Sequence, residues 1–131
     1  MQTRAQLPGR VLVADDEVSV RDLLVRVLGN AGHEVVAVDT AEAALLRLAR
    51  ERFDILVVDK NLPGMDGLDL MRLVRTHHPQ LRAIMITAYP TPASERLAKD
   101  LGVHAFVVKP FGIVTIVGAV DEAIRAGRAE R

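Results

Sequence analysis

The chain has 131 residues, of which 50% are hydrophobic, and this suits a single domain with a core of ordinary size. Its 17 basic and 17 acidic residues give a formal net charge of zero, so we expect no direct binding to nucleic acid or to an anionic membrane. The absence of cysteine excludes disulfides and thiolate metal sites. The sequence shows no secretory signal and no apolar run long enough to span a bilayer, so we expect a cytoplasmic location.

The first strand and helix are predicted from a short apolar run followed by an amphipathic segment. Residues 10–14 form the apolar run, which leads into an acidic turn made of Asp15, Asp16 and Glu17. Apolar residues then recur at helical spacing: Val20, Leu23, Leu24, Val27 and Leu28. Gly32 follows as a candidate left-handed helix stop.

The same alternation continues through the middle of the chain. Residues 33–38 predict the second strand, and Thr40 is a candidate N-cap for a helix with an inward stripe of Ala44, Leu45, Leu48 and Ala49. Residues 55–58 are too few for a self-sufficient helix, so they predict a buried third strand that ends at Asp59. Asp66 can cap the third helix, whose inward residues are Leu70, Leu73 and Val74.

Two more strand and helix pairs complete the pattern. Residues 81–87 predict the fourth strand, and Thr91-Pro92 is an N-cap followed by a proline at the first helical position. Residues 103–108 predict the fifth strand, which ends at Lys109. The apolar stripe of the last helix consists of Ile113, Ile116, Val117, Val120 and Ile124.

Strands joined by helices through short connections imply a parallel sheet covered by helices on both faces. All strands of such a sheet point the same way, so the polar residues that follow them meet at one edge: Asp15, Asp16, Asp59, Thr87 and Lys109. Ligands bind at that edge of open parallel sheets. Taken alone, Asp59 is equally compatible with a residue of a ligand site and with a residue that merely caps the turn after the strand.

Carboxylates gathered at one edge repel one another unless a cation offsets their charge. Mg²⁺ suits a site built from a few carboxylates and completed by water and phosphate oxygens. Asp59 is then a candidate nucleophile that attacks a phosphoryl group to give an acyl phosphate. Lys109 is the candidate lysine that balances charge, and Thr87 is the candidate hydroxyl donor.

Several short sequence motifs follow one another along the chain: Asp15-Asp16, Asp59, Leu62-Pro63-Gly64, Asp66-Gly67, Thr87-Ala88 and Lys109-Pro110-Phe111. Together they resemble the receiver domain of two-component response regulators. The resemblance implies a flavodoxin-like, doubly wound (βα)5 α/β sandwich with parallel strands in the order 2-1-3-4-5. It covers residues 10–128, with an N-terminal extension at residues 1–9 and a tail at residues 129–131.

The resemblance also assigns roles to individual residues. Asp59 would be the phosphoryl acceptor, and it would bind Mg²⁺ directly together with Asp16 and the backbone carbonyl of Asn61. Asp15 would act largely through a bound water. Thr87 and Lys109 would contact the phosphoryl oxygens.

The conformational switch and the partners are likewise implied by the resemblance. Thr87 would act with the aromatic residue at position 106, which is Phe106 and lacks a hydroxyl, so packing would have to drive its movement. Lys109-Pro110 would be a cis peptide. The phosphoryl donor would be a histidine kinase or a phosphotransfer protein, with Val20 and Leu23 as candidate docking residues. The downstream effector is unknown, and Val114 hints at a homodimer through the fourth helix, fifth strand and fifth helix.

Two other functions fit parts of the pattern. A phosphatase with an aspartyl nucleophile would also pair an aspartate with threonine, lysine and Mg²⁺, but Asn61 stands where its second acid is expected. A receiver-like binding module that is never phosphorylated is the other alternative. The favoured function is a signalling switch, which catalyses only its own phosphorylation and dephosphorylation.

Overall fold

The computed structural model describes residues 8–129, in which strands and helices alternate. The strands are β1 (Arg10–Ala14), β2 (Glu34–Val38), β3 (Ile55–Asp59), β4 (Arg82–Thr87) and β5 (Ala105–Val108). The helices are α1 (Val18–Asn30), α2 (Ala41–Arg50), α3 (Gly67–His77), α4 (Pro92–Asp100) and α5 (Ile113–Ala129). Residues 1–7 of the predicted extension and residues 130–131 of the predicted tail lie outside the described residues.

The five strands form one parallel sheet in the order β2-β1-β3-β4-β5, which confirms the predicted fold class. β3 lies in the middle and all of its residues are buried. Alternate strand residues point to opposite faces, where they meet two separate cores. One core joins the sheet to α2, α3 and α4, and the other joins it to α1 and α5.

Side chains at the predicted caps start the second, third and fourth helices. The Thr40 hydroxyl accepts the backbone N–H of Ala43 at 3.0 Å, and the Asp66 carboxylate accepts that of Asp69 at 2.8 Å. Thr91 and Ser94 form a reciprocal capping box at the start of α4. Among residues 8–129, no helix has both the length and the apolarity that crossing a bilayer requires.

The buried stripes differ from the predicted ones at two positions. Ala49 is exposed, because the face that α2 turns to the sheet passes through Ala41, Ala44 and Leu48 at spacings of three and four residues. Ile113 is 58% exposed, since the buried face of α5 begins at Ile116. By contrast, α4 buries only the small residues Ser94 and Ala98 within the described chain.

A glycine allows close packing between the end of β3 and the start of α3. The Gly67 N–H donates to the Lys60 carbonyl at 2.8 Å. A Cβ on Gly67 would overlap the Asp59 carbonyl oxygen and would lie 2.8 Å from the Lys60 Cα. The backbone that carries Asp59 therefore depends on the missing side chain at position 67.

We expect Gly67→Ala to lower the free energy of unfolding by about 2 kcal/mol, because the added methyl forces two backbone segments apart. Gly29→Ala is the matched control, since a Cβ at that exposed position in α1 meets open space among the described residues. The control is expected to gain about 0.5–1 kcal/mol from its better helix propensity. Urea unfolding measures both, and equal effects of the two substitutions would contradict the packing argument.

Candidate functional site

The C-terminal edge of the sheet gathers three of the predicted polar residues in buried positions. Asp15 follows β1, Asp59 ends β3 and Thr87 ends β4, and their exposed fractions are 0%, 3% and 0%. Lys109 follows β5, and its backbone N–H donates to the Thr87 carbonyl at 2.8 Å. The Lys109-Pro110 peptide is cis, as predicted.

The Lys109 ammonium contacts three carboxylates. Its Nζ donates to Asp59 Oδ2 at 2.9 Å and to Glu17 Oε1 at 2.8 Å, and it lies 3.0 Å from Asp15 Oδ2. Burial alone would lower the pKa of Lys109, but the hydrogen bonds to Glu17, Asp59 and Asp15 outweigh burial and raise that pKa above its usual value. Lys109 is therefore a permanent cation at the centre of the site.

Asp15 is the most deeply buried carboxylate of the site, with no exposed surface. Burial raises the pKa of Asp15 above its ordinary value, and the nearby Asp59 charge adds to the increase. The Glu17 N–H, which donates to Asp15 Oδ1 at 2.8 Å, and the Lys109 ammonium offset only part of this effect. Asp15 Oδ2 is buried, and the Lys109 ammonium lies 3.0 Å from it.

One carboxylate oxygen from each of Asp15, Glu17 and Asp59 lies within 4.8 Å of the other two. Asp15 Oδ2 faces the Lys109 ammonium at 3.0 Å, while Asp59 Oδ1 accepts the backbone N–H of Asn61 at 2.9 Å. A set of close carboxylate oxygens, two of them from buried residues, fits a hard divalent cation such as Mg²⁺. This chemistry agrees with the expected cofactor type.

Glu17 was given no role from the sequence, although it is the third acid of the Asp-Asp-Glu run. It occupies the N-cap position of α1, but its side chain does not cap that helix and reaches Lys109 instead. Asp16 is exposed and is not part of the described carboxylate cluster. The assignment of Asp16 as a direct metal ligand stays a prediction.

The two predicted switch residues lie on the same face of the sheet. Phe106 is the β5 partner of Met85, and Thr87 lies two residues after Met85 on β4. The Thr87 Oγ1 accepts the Tyr89 N–H at 3.1 Å, which leaves its own hydroxyl proton available for donation. Phe106 is half-buried against the core formed with α2, α3 and α4.

The predicted docking residues Val20 and Leu23 are half-buried against the α1 and α5 core. More strongly exposed apolar side chains lie at the starts of α1 and α5. Val18 on α1 is 60% exposed, and Ile113 and Val114 on α5 are 58% and 86% exposed. Docking through Val20 and Leu23 therefore remains a prediction.

Comparisons with known proteins point to one family. The model of the response regulator receiver domain matches residues 11–121. The response regulator protein FleR of Pseudomonas aeruginosa is 43% identical over 105 residues, covering 80% of this chain and 22% of FleR. The DNA-binding transcriptional regulator NtrC of Escherichia coli is 35% identical over 116 residues, covering 88% of this chain and 25% of NtrC. The chain thus spans a quarter or less of these curated relatives.

Solved structures show the same similarity. A CheY-like response regulator receiver domain protein from Methanospirillum hungatei has a TM-score of 0.91 at 25% identity, covering 95% of this chain and 100% of that one. Chemotaxis response regulator CheY4 of Vibrio cholerae has a TM-score of 0.83 at 28% identity, covering 89% and 99% of the two chains.

The raised pKa of Asp15 predicts how the free energy of unfolding depends on pH. The folded protein holds a proton on Asp15 over a pH range in which the unfolded chain has lost it, so stability falls as pH rises through that range. At neutral pH we expect Asp15→Asn to raise the free energy of unfolding by about 1 kcal/mol in Mg²⁺-free buffer. The gain should shrink as the pH falls toward the ordinary aspartate value of about 3.9.

Urea unfolding at several pH values measures this effect, with Asp22→Asn as the control because Asp22 is exposed on α1. The control should leave stability unchanged. A loss of stability in Asp15→Asn at neutral pH would show that the ion pair with Lys109 outweighs the burial of Asp15.

Proposed function

Because the chain belongs to the response regulator receiver domain family, we propose that Asp59 accepts a phosphoryl group from a histidine kinase or a phosphotransfer protein. A receiver domain is a phosphorylation-activated signalling switch. The observation that carries the proposal is the 2.9 Å hydrogen bond from Lys109 Nζ to Asp59 Oδ2 at the end of the central strand. We propose residues 10–128 as the receiver unit.

In the transfer step, a carboxylate oxygen of Asp59 forms a bond to phosphorus. The bond between phosphorus and the imidazole nitrogen of the donor breaks, and that nitrogen keeps the electron pair and is protonated. Lys109 and the Thr87 hydroxyl neutralise and hydrogen-bond the phosphoryl oxygens. Hydrolysis by water later releases inorganic phosphate and returns Asp59 to its carboxylate form, so the chain catalyses only its own phosphorylation and dephosphorylation.

Mg²⁺ is the proposed cofactor, and when bound it supplies positive charge to the phosphoryl oxygens. Asp16, Asp59 and the Asn61 carbonyl are the proposed direct ligands, and Asp15 acts largely through a water. Glu17 adds a further negative charge to the same edge, because its carboxylate lies in the described cluster.

Phosphorylation is proposed to change partner binding through Thr87 and Phe106. Thr87 would turn its hydroxyl toward the phosphoryl group, and the half-buried Phe106 would repack on the same face of the sheet. The surface of α4, β5 and α5 is the proposed homodimer face, supported by Leu97 and Val108, which are 42% and 45% exposed. The proposed downstream partner is an effector of unknown identity, and the proposed location is cytoplasmic.

Incubation with acetyl phosphate and Mg²⁺ is expected to add one phosphoryl group to the wild-type chain, as measured by intact mass. Asp59→Asn should remove the adduct, because an amide cannot act as the nucleophile. Asp39→Asn is the matched control, since Asp39 is an exposed acid directly after β2 at the same edge, and it should keep the adduct. Multiple turnover of an external phosphate ester would instead favour the phosphatase, and no adduct would favour the binding module.

Calorimetric titration with Mg²⁺ separates the roles of the two neighbouring acids. We expect Asp16→Asn to weaken Mg²⁺ binding by about tenfold or more, because it removes a direct ligand. Glu17→Gln should weaken it by about threefold, as expected for loss of a nearby charge that is largely solvated. A larger loss in Glu17→Gln than in Asp16→Asn would assign the ligand role to Glu17.

A further inference from the structure

Arg21, near the start of α1, reaches back to the acidic turn that precedes this helix. Its Nη1 donates to the backbone carbonyl of Asp15 at 2.8 Å, and the residue is half-buried. Neither the sequence motifs nor the chemistry proposed for Asp59 gives Arg21 a role. Its contact is nevertheless with the most deeply buried acid of the site.

Each polar group of Asp15 is held by a different partner. Its N–H donates to the Val38 carbonyl at 3.1 Å, and its Oδ1 accepts the Glu17 N–H at 2.8 Å. Its Oδ2 lies 3.0 Å from the Lys109 ammonium. Arg21 supplies the donor to the remaining polar atom, the main-chain carbonyl oxygen. Because Asp15 has no exposed surface, that buried carbonyl would lose its donor if the guanidinium were removed.

The carbonyl of Asp15 belongs to the peptide bond that leads into Asp16. A peptide group is planar, so a contact that fixes its oxygen also fixes the direction in which the chain continues. Asp16 is exposed, and it is not part of the described cluster of Asp15, Glu17 and Asp59. The direction of the Asp16 carboxylate therefore depends on the backbone that carries it, and Arg21 holds that backbone.

Arg21 also places a positive charge beside Asp15. A fixed cation repels a divalent cation nearby, so this charge by itself would weaken the binding of Mg²⁺. The hydrogen bond to the carbonyl has the opposite effect, because partners that orient the ligands of a metal raise its affinity. The two effects differ in sign, and removal of the side chain shows which of them is larger.

We propose that Arg21 is a positioning residue of the Mg²⁺ site, which acts by orienting the peptide between Asp15 and Asp16. The inference rests on the proposed function, in which Asp16 binds the ion directly. A guanidinium suits this role, since it is always charged and its hydrogen bond to a carbonyl is stronger than that of a neutral donor.

Calorimetric titration of the full chain with Mg²⁺ tests the proposal. Arg21→Met keeps the apolar stem and removes the charge and the donors, and we expect it to weaken Mg²⁺ binding by about tenfold. Arg21→Lys keeps the charge and a donor, so its loss should be about threefold or less. Unchanged or tighter binding in Arg21→Met would overturn the proposal.

Arg26→Met is the matched control, because Arg26 is exposed on the same helix, about 7.5 Å further along its axis. It removes the same charge and should change the Mg²⁺ affinity by about twofold or less, since an exposed charge at that distance is largely screened. An equal loss of affinity in the two variants would assign the effect to the helix as a whole and would reject the role of Arg21.

Urea unfolding in Mg²⁺-free buffer separates positioning from a purely structural role. It shows whether each variant is folded under the conditions of the titration. If Arg21→Met is unfolded there, Arg21→Gln takes its place, with a weaker Mg²⁺ affinity again expected. A folded variant that loses stability but keeps the wild-type Mg²⁺ affinity would overturn the proposal.

The rate of phosphorylation by acetyl phosphate gives a second readout. In Arg21→Met, the Mg²⁺ concentration at half-maximal rate should rise by about tenfold, while the rate at saturating Mg²⁺ stays close to that of the wild type. A lower saturating rate at an unchanged half-maximal concentration would overturn the proposal.

The wild-type chain distinguishes failure of this inference from failure of the proposed function. A wild-type chain that binds Mg²⁺ but gains no phosphoryl group would reject the proposed function alone. A wild-type chain that binds no Mg²⁺ would reject the role of Arg21.

Discussion

The contact of one ammonium group with three carboxylates organises the active edge of this protein. Lys109 lies at the end of the last strand, yet its partners come from the turn after β1 and from the end of β3. Without that cation, the buried Asp15 and Asp59 would face each other in a region of low dielectric. The ion pairs therefore connect residues that the chain separates widely, and they make a buried acidic site compatible with a stable fold.

The sheet explains why these groups meet. Parallel strands direct all their C-terminal ends to one edge, and the short apolar runs of β1, β3 and β4 bury those three strands on both faces. The opposite edge collects the N-terminal ends, together with the last turn of α3 and the end of α5. One edge thus gathers carboxylates around a lysine, while the other has a cavity whose lining includes Arg75, Arg82 and Arg128.

Sequence patterns predicted the fold well because the signals were local and strong. The apolar run before Asp59 and the caps Thr40, Asp66 and Thr91 specify their elements through adjacent residues alone. The role of Glu17 was missed because the position of its side chain depends on Lys109, which lies 92 residues further along the chain. The exposure of Ala49 depended on which face α2 turns to the sheet. Helical spacing in the sequence defines that face only to within one residue.

The shallow burial of α4 has a consequence for how the molecule deforms. Its buried residues, Ser94 and Ala98, are small, so little apolar area is lost from contact when the helix shifts. β3 is enclosed by two strands and two cores and cannot yield without disturbing all of them. The central strand β3 is therefore stiff, whereas the outer helix α4 is easily displaced. A change of charge at the end of β3 would move α4 and leave β3 in place.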